Sequence, residues 1–357
     1  MTRPLRVGVV GCGIIAERYV KDAPAFESWR PVACSDVDAA GARKFAEKHD
    51  LRALAVDDLL ADPEVELVLN LTPPNAHAAV VGATLTAGKH AYTEKPLATS
   101  VGEARELVAE AARRDVRLGC APDTFLGSAY ETGRRLIEDG AIGRPLGFAA
   151  TMLVGGAESW HPNADMFFRA GGGPLLDIAP YYLTAIVALL GSIAGVAGFA
   201  DTPTRKRVLG VGPRAGETIE VEVPTHAAIA LQLESGALGT MTVSFEARGQ
   251  YVSGLVVHGE EGSLSLPDAN AFGGDVILRR GGRSEVETVE YASRGARETR
   301  GLGIEDLAEA LSAGRPHRAS GELALHVLEA AEAAVRAADE RRAVDLPPLA
   351  SSRLSDA

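Results

Sequence analysis

The chain has 357 residues, of which 46% are hydrophobic and 24% charged, and its formal net charge is −12. This length and composition are typical of a globular protein with about two domains, not of a disordered or fibrous chain. The negative charge disfavours binding to nucleic acids and to anionic membranes, because their phosphate groups are repelled.

The first third of the chain alternates short apolar strands with helices. Predicted strands cover residues 6–10, 32–35, 66–71, 90–93 and 116–120, and predicted helices cover 14–25, 39–49, 56–60, 76–87 and 101–114. Ser100 and Glu103 form a capping box at the start of the last of these helices. Because repeated β-α-β units make right-handed crossovers, this order predicts a parallel, doubly wound sheet.

Longer strands follow from residue 123. Strands are predicted at 146–154, 227–234, 237–245 and 252–258, and helices at 128–139, 175–190, 304–312 and 322–341. A hairpin is indicated at 234–237, where two alternating runs meet around Gly236. We interpret residues 123–357 as a second α/β domain built on one large, mostly antiparallel sheet.

The turn after the first strand has the pattern of a dinucleotide-binding fingerprint. Gly11 allows a tight turn, and Gly13 lets backbone N–H groups approach a pyrophosphate at the start of the helix. Asp36, at the end of the second strand, is placed to accept hydrogen bonds from ribose hydroxyls. A carboxylate there repels a 2′-phosphate, and Val37 supplies no arginine, so NAD is favoured over NADP. The pattern predicts an NAD-binding Rossmann domain over 1–122, with Ile14 and Ile15 also near the cofactor.

Membrane insertion and secretion are disfavoured by the sequence. The longest apolar stretch, 178–190, contains Pro180 and is too short to span a bilayer. No signal-peptide pattern precedes the first predicted strand. The three cysteines lack the spacing of metal ligands. We therefore expect a cytoplasmic protein with reduced thiols and no metal site.

Lys95 is the main catalytic candidate. It follows a predicted strand of the first domain, and Pro96 directs the chain immediately after it. Lysine is a poor base at its reference pKa of about 10.4, but burial and a nearby cationic nicotinamide lower that pKa. The residue then suits removal of a hydroxyl proton during alcohol oxidation. Glu94 is expected either to contact the cofactor or to orient Lys95, and the alternative is a strand-end carboxylate with no role at the site.

Several motifs together resemble the glucose-fructose oxidoreductase / inositol dehydrogenase (Gfo/Idh/MocA) family. They are Gly11-Cys12-Gly13, Thr72-Pro73-Pro74-Asn75-Ala76-His77, Ala87-Gly88-Lys89-His90, Glu94-Lys95-Pro96 and Gly171-Gly172-Gly173-Pro174-Leu175-Leu176-Asp177. The resemblance covers nearly the whole chain. It implies a Rossmann domain, a C-terminal α/β domain whose sheet makes dimers or tetramers, and oxidation or reduction of a sugar or polyol. Thr72, Pro73 and His77 are then expected near the cofactor. The alternative for His77 is to cap its helix, and it is not expected to be catalytic.

Asp177 and Tyr181 are the candidates in the second domain. Their spacing places both on one face of a helix. The family commonly has histidine at the second position, so Tyr181 is a departure that leaves more of the acid–base role to Lys95. The alternative for Asp177 is a helix N-cap, and Pro180 must lie in the first helical turn or kink the helix.

A preceding loop adds candidate substrate ligands. Trp160, His161 and Asn163, with Glu158 nearby, could line a sugar pocket, and the alternative is an ordered loop around a buried Trp160. Asp123 is a further weak candidate beside the cleft.

Three functions remain open from the sequence. The leading one is an NAD-dependent sugar or polyol dehydrogenase or reductase. An NAD-dependent glycosidase or epimerase would oxidise the sugar transiently and retain the cofactor. A non-catalytic NAD-binding sensor would keep the fold without turnover.

Overall fold

The computed structural model describes residues 3–249, 251–281 and 285–349. Within these ranges the chain forms two compact units. One comprises residues 3–127 and 293–326, and the other comprises the described residues of 128–292 and 327–349. No helix in the described ranges has both the length and the apolar character needed to cross a membrane.

The N-terminal part of the first unit is a six-stranded parallel sheet with helices between its strands. Its elements are β1 (Leu5–Val10), α1 (Ile14–Asp22), β2 (Trp29–Ser35), α2 (Ala39–His49), β3 (Arg52–Ala53), α3 (Val56–Ala61), β4 (Leu67–Asn70), α4 (His77–Thr86), β5 (His90–Thr93), α5 (Val101–Arg114) and β6 (Leu118–Cys120). The strand order is β3-β2-β1-β4-β5-β6. Every neighbouring pair is parallel, so the predicted doubly wound sheet is confirmed.

The order of this sheet decides where its functional edge lies. Val7, Val9 and Leu69 are fully buried, as expected for central strands covered on both faces. The chain winds outward in opposite directions from β1 and β4, which are neighbours. In open parallel sheets, ligands bind beyond the carboxyl ends of the strands at such a switch point. The glycine turn after β1 and the Thr72 segment after β4 both lie there.

The second unit contains one large sheet, with one helix before its first strand and two helices between its first two strands in chain order. Its elements up to residue 288 are α6 (Ser128–Glu138), β7 (Pro145–Leu153), α7 (Pro174–Asp177), α8 (Ala179–Leu190), β8 (Ile193–Asp201), β9 (Lys206–Val208), β10 (Thr218–Glu220), β11 (His226–Leu233), β12 (Leu238–Ser244), β13 (Val252–Gly259), β14 (Gly262–Leu266), β15 (Ile277–Arg280) and β16 (Glu285–Thr288). The remaining elements of the chain are α9 (Leu302–Ala313), α10 (Gly321–Glu340) and β17 (Val344–Asp345).

Nine strands form the large sheet in the order β16-β15-β14-β13-β7-β12-β11-β8-β17, and β9 pairs with β10 separately. Only the β7–β12 pair among the described strands of this sheet is parallel. The predicted large, mostly antiparallel sheet is therefore confirmed. Along β11, buried and exposed residues alternate, with Ala227, Ile229 and Leu231 buried, so one face of the sheet is covered.

Residues 293–326 return to the first unit. Helix α9 packs against β2 and β6, and Ser320 makes an isolated antiparallel bridge to Gly119. The Cys120 N–H donates to the Ala319 carbonyl at 3.0 Å. This segment covers the edge strand β6, whose backbone groups would otherwise be unpaired. The boundary after residue 122, which divides the cofactor domain from the substrate domain, stays a prediction. Residues 293–326, which are distant in sequence, also belong to the first unit.

The helix predicted over 175–190 is wrong in one respect. The chain forms two helices, α7 and α8, separated at Ile178. Pro180 lies in the first turn of α8, where its missing N–H costs nothing, and it cannot continue a helix begun at Pro174. Ile178 is the N-cap of α8, so Asp177 does not have the N-cap role considered for it.

Candidate functional site

The glycine turn after β1 approaches β4 closely. Gly11 has a φ of +95°. A Cβ added there would lie 2.7 Å from the carbonyl carbon and oxygen of Leu71 and 2.9 Å from the Thr72 nitrogen. Only glycine meets both requirements, the left-handed backbone and the absence of a side chain. The predicted tight turn is thereby explained.

Gly13 serves a different purpose. It is the N-cap of α1, where no side chain caps the helix. A Cβ added to Gly13 would meet no atom within 4 Å, and the neighbouring Ile14 is 82% exposed. The first N–H groups of α1 therefore face open space at the positive end of the helix dipole. This geometry fits the pyrophosphate of a dinucleotide.

Asp36 is held directly beside this turn. Its Oδ2 accepts the Cys12 N–H at 2.8 Å, and its Oδ1 accepts the Asp38 N–H at 2.9 Å. Each carboxylate oxygen keeps a second lone pair for an additional donor. Because Val37 is fully exposed and carries no charge, nothing at this position offsets the negative charge of Asp36. The residues therefore fit a ribose with free hydroxyls.

The segment after β4 is organised by Asn70 and His77. The Asn70 side-chain oxygen accepts both the Thr72 N–H, at 3.2 Å, and the Thr72 hydroxyl, at 2.7 Å. His77 is 1% exposed, and its Nδ1 and Nε2 lie 2.6 Å and 2.9 Å from the carbonyl oxygens of Pro96 and Thr72. His77 thus joins the Thr72 segment to the chain that follows Lys95. Its contact with the cofactor stays a prediction.

Lys95 lies just beyond the carboxyl end of β5 and is half-buried. The backbone N–H of Lys95 donates to Glu94 Oε2 at 3.1 Å. The other oxygen of that carboxylate, Oε1, accepts the hydroxyl of Tyr19 at 3.1 Å. Tyr19 is on α1 and fully buried. Sequence reasoning did not identify Tyr19, because a tyrosine on the buried face of a helix is typical of an ordinary core residue.

Asp123 does not face a substrate. It is fully buried in the first unit, and its Oδ2 accepts the N–H groups of Gly301 at 3.0 Å and Gly303 at 3.1 Å. Arg300 Nη1 lies 3.7 Å from its Oδ1. Burial raises the pKa of Asp123, against the opposing charge of Arg300. The carboxylate caps the start of α9, so the expectation of Asp123 beside the cleft is wrong.

The triple-glycine motif in the second unit has a packing explanation. Gly171 and Gly173 have φ values of +86° and +84°. A Cβ on Gly172 would lie 2.5 Å from the Met166 carbonyl oxygen. The motif leads into α7 and α8, which carry Asp177 and Tyr181. Asp177 is half-buried, whereas Tyr181 is only 8% exposed. The break between α7 and α8 separates the two residues, so they do not share one continuous helix as predicted.

The loop between β7 and α7 exposes an aromatic cluster. Trp160 is 62% exposed, so the alternative of a buried tryptophan is wrong. The ring centroids of Trp160 and His161 are 5.4 Å apart, and those of His161 and Phe167 are 5.2 Å apart. The backbone N–H of Asn163 donates to His161 Nδ1 at 3.1 Å. The loop thus presents clustered aromatic rings, of which Trp160 faces solvent.

Glu158 has a structural partner that the sequence did not indicate. Its Oε1 lies 2.6 Å from Nη1 of Arg207, whose side chain is 1% exposed. Arg207 Nη2 lies 2.6 Å from Glu246 Oε1 on the other side. Two carboxylates thus pair with one buried guanidinium and offset its charge, as a buried charge requires. We therefore do not count Glu158 among the substrate ligands.

Comparison with known proteins gives matches in both parts of the chain. The model of the oxidoreductase family with an NAD-binding Rossmann fold matches residues 5–121, and the GFO/IDH/MocA C-terminal domain model matches residues 130–265. A dTDP-3,4-didehydro-2,6-dideoxy-alpha-D-glucose 3-reductase of Streptomyces violaceoruber is 31% identical over 276 residues, 75% of this chain and 74% of that protein.

Two further matches concern levoglucosan dehydrogenase. The enzyme of Pseudarthrobacter phenanthrenivorans is 27% identical over 323 residues, 78% of this chain and 79% of the relative. A solved structure of levoglucosan dehydrogenase in complex with NADH and levoglucosan has a TM-score of 0.84 at 23% identity, and the match covers 97% of this chain and 100% of that chain. At that identity the structural match shows the fold alone.

Proposed function

This chain belongs to the GFO/IDH/MocA family of NAD-binding oxidoreductases, and from that premise we propose that it transfers hydride between NAD and a carbinol or ketone of a sugar or polyol. The observation that carries the proposal is the position of Lys95. It follows β5, two strands from the glycine turn after β1, on the carboxyl edge of the same sheet. A side chain there can reach the substrate end of a dinucleotide bound across the switch point.

The cofactor half of the site is built by residues of the first unit. The N–H groups after Gly13 bind the pyrophosphate, and Asp36 accepts the adenosine ribose hydroxyls. Ile14 and Ile15 line the turn, and Thr72, Pro73, His77 and Glu94 complete the cofactor side near Lys95. When bound, NAD accepts the hydride that leaves the carbinol carbon. NAD is preferred to NADP because the Asp36 carboxylate repels a 2′-phosphate.

Lys95 is the proposed acid and base. In oxidation its neutral amine accepts the proton of the substrate hydroxyl as hydride leaves the carbinol carbon. In reduction its ammonium returns that proton to the carbonyl oxygen. Glu94 holds the backbone of Lys95 through the 3.1 Å hydrogen bond described above.

The proposed substrate ligands are Asp177, Tyr181, Trp160, His161 and Asn163. Carboxylate and phenol oxygens bind sugar hydroxyls, and a flat exposed indole such as that of Trp160 suits the apolar face of a pyranose ring. The relatives support this substrate class, since they include a levoglucosan dehydrogenase and a dTDP-sugar 3-reductase.

Self-association is also proposed, as a homodimer or homotetramer in the cytoplasm. Phe199 and Leu238, on strands β8 and β12, are 70% and 62% exposed and share one face of the sheet. Large apolar side chains on a sheet face favour burial against another copy.

The proposal is tested by incubating the purified protein with NAD and a panel of sugars and polyols while following absorbance of the reduced nicotinamide. Lys95→Ala should abolish turnover on any substrate found, at least ~1,000-fold, because the proton has no acceptor. Lys89→Ala is the matched control, since the Lys89 amine donates to the carbonyls of Asp62 and Val65 away from this edge. Unchanged turnover in Lys95→Ala would reject the assignment. Glycoside cleavage without NADH accumulation would instead favour the transient-oxidation alternative.

A further inference from the structure

Tyr19 links the helix that begins at the glycine turn to the segment that carries Lys95. It lies on the buried face of α1, whose N-cap is Gly13. Its hydroxyl donates to Glu94 Oε1 at 3.1 Å, across a wide separation in sequence. Burial, followed by the charges of Glu94 and Asp123, raises the pKa of Tyr19 well above its usual value. The phenol therefore stays a hydrogen-bond donor throughout the working pH range.

Glu94 is held from both sides of its carboxylate. Oε1 accepts the Tyr19 hydroxyl and Oε2 accepts the Lys95 N–H, each at 3.1 Å. The Glu94 N–H also donates to the Asn70 carbonyl at 3.0 Å, so the backbone is anchored to β4. Without Tyr19, the carboxylate is free to rotate away from the Lys95 N–H. Hydrogen bonds to a charged group are among the stronger ones in proteins.

We propose that Tyr19 is a positioning residue, which fixes the Glu94 carboxylate and through it the backbone of Lys95. The inference rests on the proposed acid–base role of Lys95. It adds that the Tyr19 phenol fixes the position of the segment carrying Lys95 relative to helix α1, which begins at the cofactor turn. A proton-transfer group must be placed within a few tenths of an ångström of its productive position. Loss of this hydrogen bond therefore lowers the rate of the chemical step more than it lowers the affinity for substrate.

Tyr92 provides a matched control. It is also fully buried in the first unit, on β5, but its hydroxyl has no hydrogen-bond partner among the described residues. Tyr19→Phe and Tyr92→Phe thus remove the same atom from similarly buried rings. Only the first removes a bond to Glu94, so a general packing effect would appear in both variants.

The direct test is hydrogen exchange at the Lys95 amide, followed by mass spectrometry on peptides ending at Glu94 and at Lys95. In Tyr19→Phe this amide should exchange about tenfold faster, because its acceptor is no longer held. The Glu94 amide, bonded to Asn70, should stay within about twofold of wild type. Unchanged exchange at Lys95, or equal acceleration in Tyr92→Phe, would overturn the inference without any need for a substrate.

Kinetics supply the second arm once a substrate is known. Tyr19→Phe should lower kcat about tenfold and leave KM within about twofold, and Tyr92→Phe should change neither. Because Tyr19 acts through Glu94, adding Tyr19→Phe to Glu94→Gln should lower kcat no further. Full additivity in that double variant would contradict the positioning route. If Lys95→Ala retains turnover, the proposed function fails, whereas the exchange result still decides whether Tyr19 holds the segment.

Discussion

Replacing Gly11 by alanine is expected to destabilise the first unit strongly. The φ of +95° costs a side-chain-bearing residue about 1–3 kcal/mol. The added Cβ would also lie 2.7 Å from backbone atoms of Leu71, which cannot rotate away as a side chain can. Such overpacking costs about another 1–3 kcal/mol. At ~2–4 °C per kcal/mol, the melting temperature should fall by roughly 5–20 °C.

Gly13→Ala is the control for this reasoning. Gly13 has a φ of −80° and an open Cβ direction, so the fold accepts alanine there. Its melting temperature should stay within about 3 °C of wild type, the cost of a poorer N-cap. The new methyl group nevertheless lies where the pyrophosphate approaches, so NADH should bind at least ~10-fold more weakly.

The assays are differential scanning fluorimetry and titration of NADH fluorescence on both variants. A Gly11→Ala protein as stable as wild type would refute the argument from backbone geometry. A Gly13→Ala protein that binds NADH with unchanged affinity would refute the placement of the pyrophosphate at the start of α1. Equal destabilisation of the two variants would show that the two glycines do not have separate roles.

Two further outcomes follow from the same structure. Asp36→Ser combined with Val37→Arg should weaken NADH binding and strengthen NADPH binding, each about tenfold, because a cation replaces the carboxylate that repels the 2′-phosphate. Fluorescence titration with both nucleotides measures the two affinities. Retained discrimination against NADPH would contradict the role given to Asp36. Burial lowers the pKa of His317, so the unfolded chain binds its proton more readily, and stability should be lost as pH falls below about 6.5. His317→Gln should flatten that part of the melting temperature–pH curve, and an unchanged slope would show that His317 does not contribute.

Most of the fold could be predicted from the sequence, and so could the candidate residues around the glycine turn, because the signals for both are local. Short valine-rich strands, the glycine turn and Asp36 lie within one β-α-β unit, and their chemistry depends on adjacent backbone. Lys95 was identified by its place between a strand and a proline. The strands of the second unit with clear alternation, such as β11 and β12, were also predicted.

Elements with weaker local sequence signals were not predicted correctly. Strand β8, Ile193–Asp201, contains Gly195 and Gly198 among small residues, so it lacks the alternation that marked its neighbours. It is a strand because β11 and β17 pair with it on either side. Likewise, the break between α7 and α8 depends on the position of Pro180 in the first turn of α8. The continuous apolar run on both sides of the break indicated one uninterrupted helix.

The sequence by itself determined the parallel and antiparallel sheets, the cofactor turn and the identity of the acid–base candidate. Only the tertiary structure decided that Asp123 caps α9, that Glu158 pairs with Arg207 and that Tyr19 holds Glu94. The physical reason is that each of these depends on partners distant in sequence. A buried carboxylate or phenol reveals its role only when the atom it bonds is known, and folding, not spacing, brings that atom within reach.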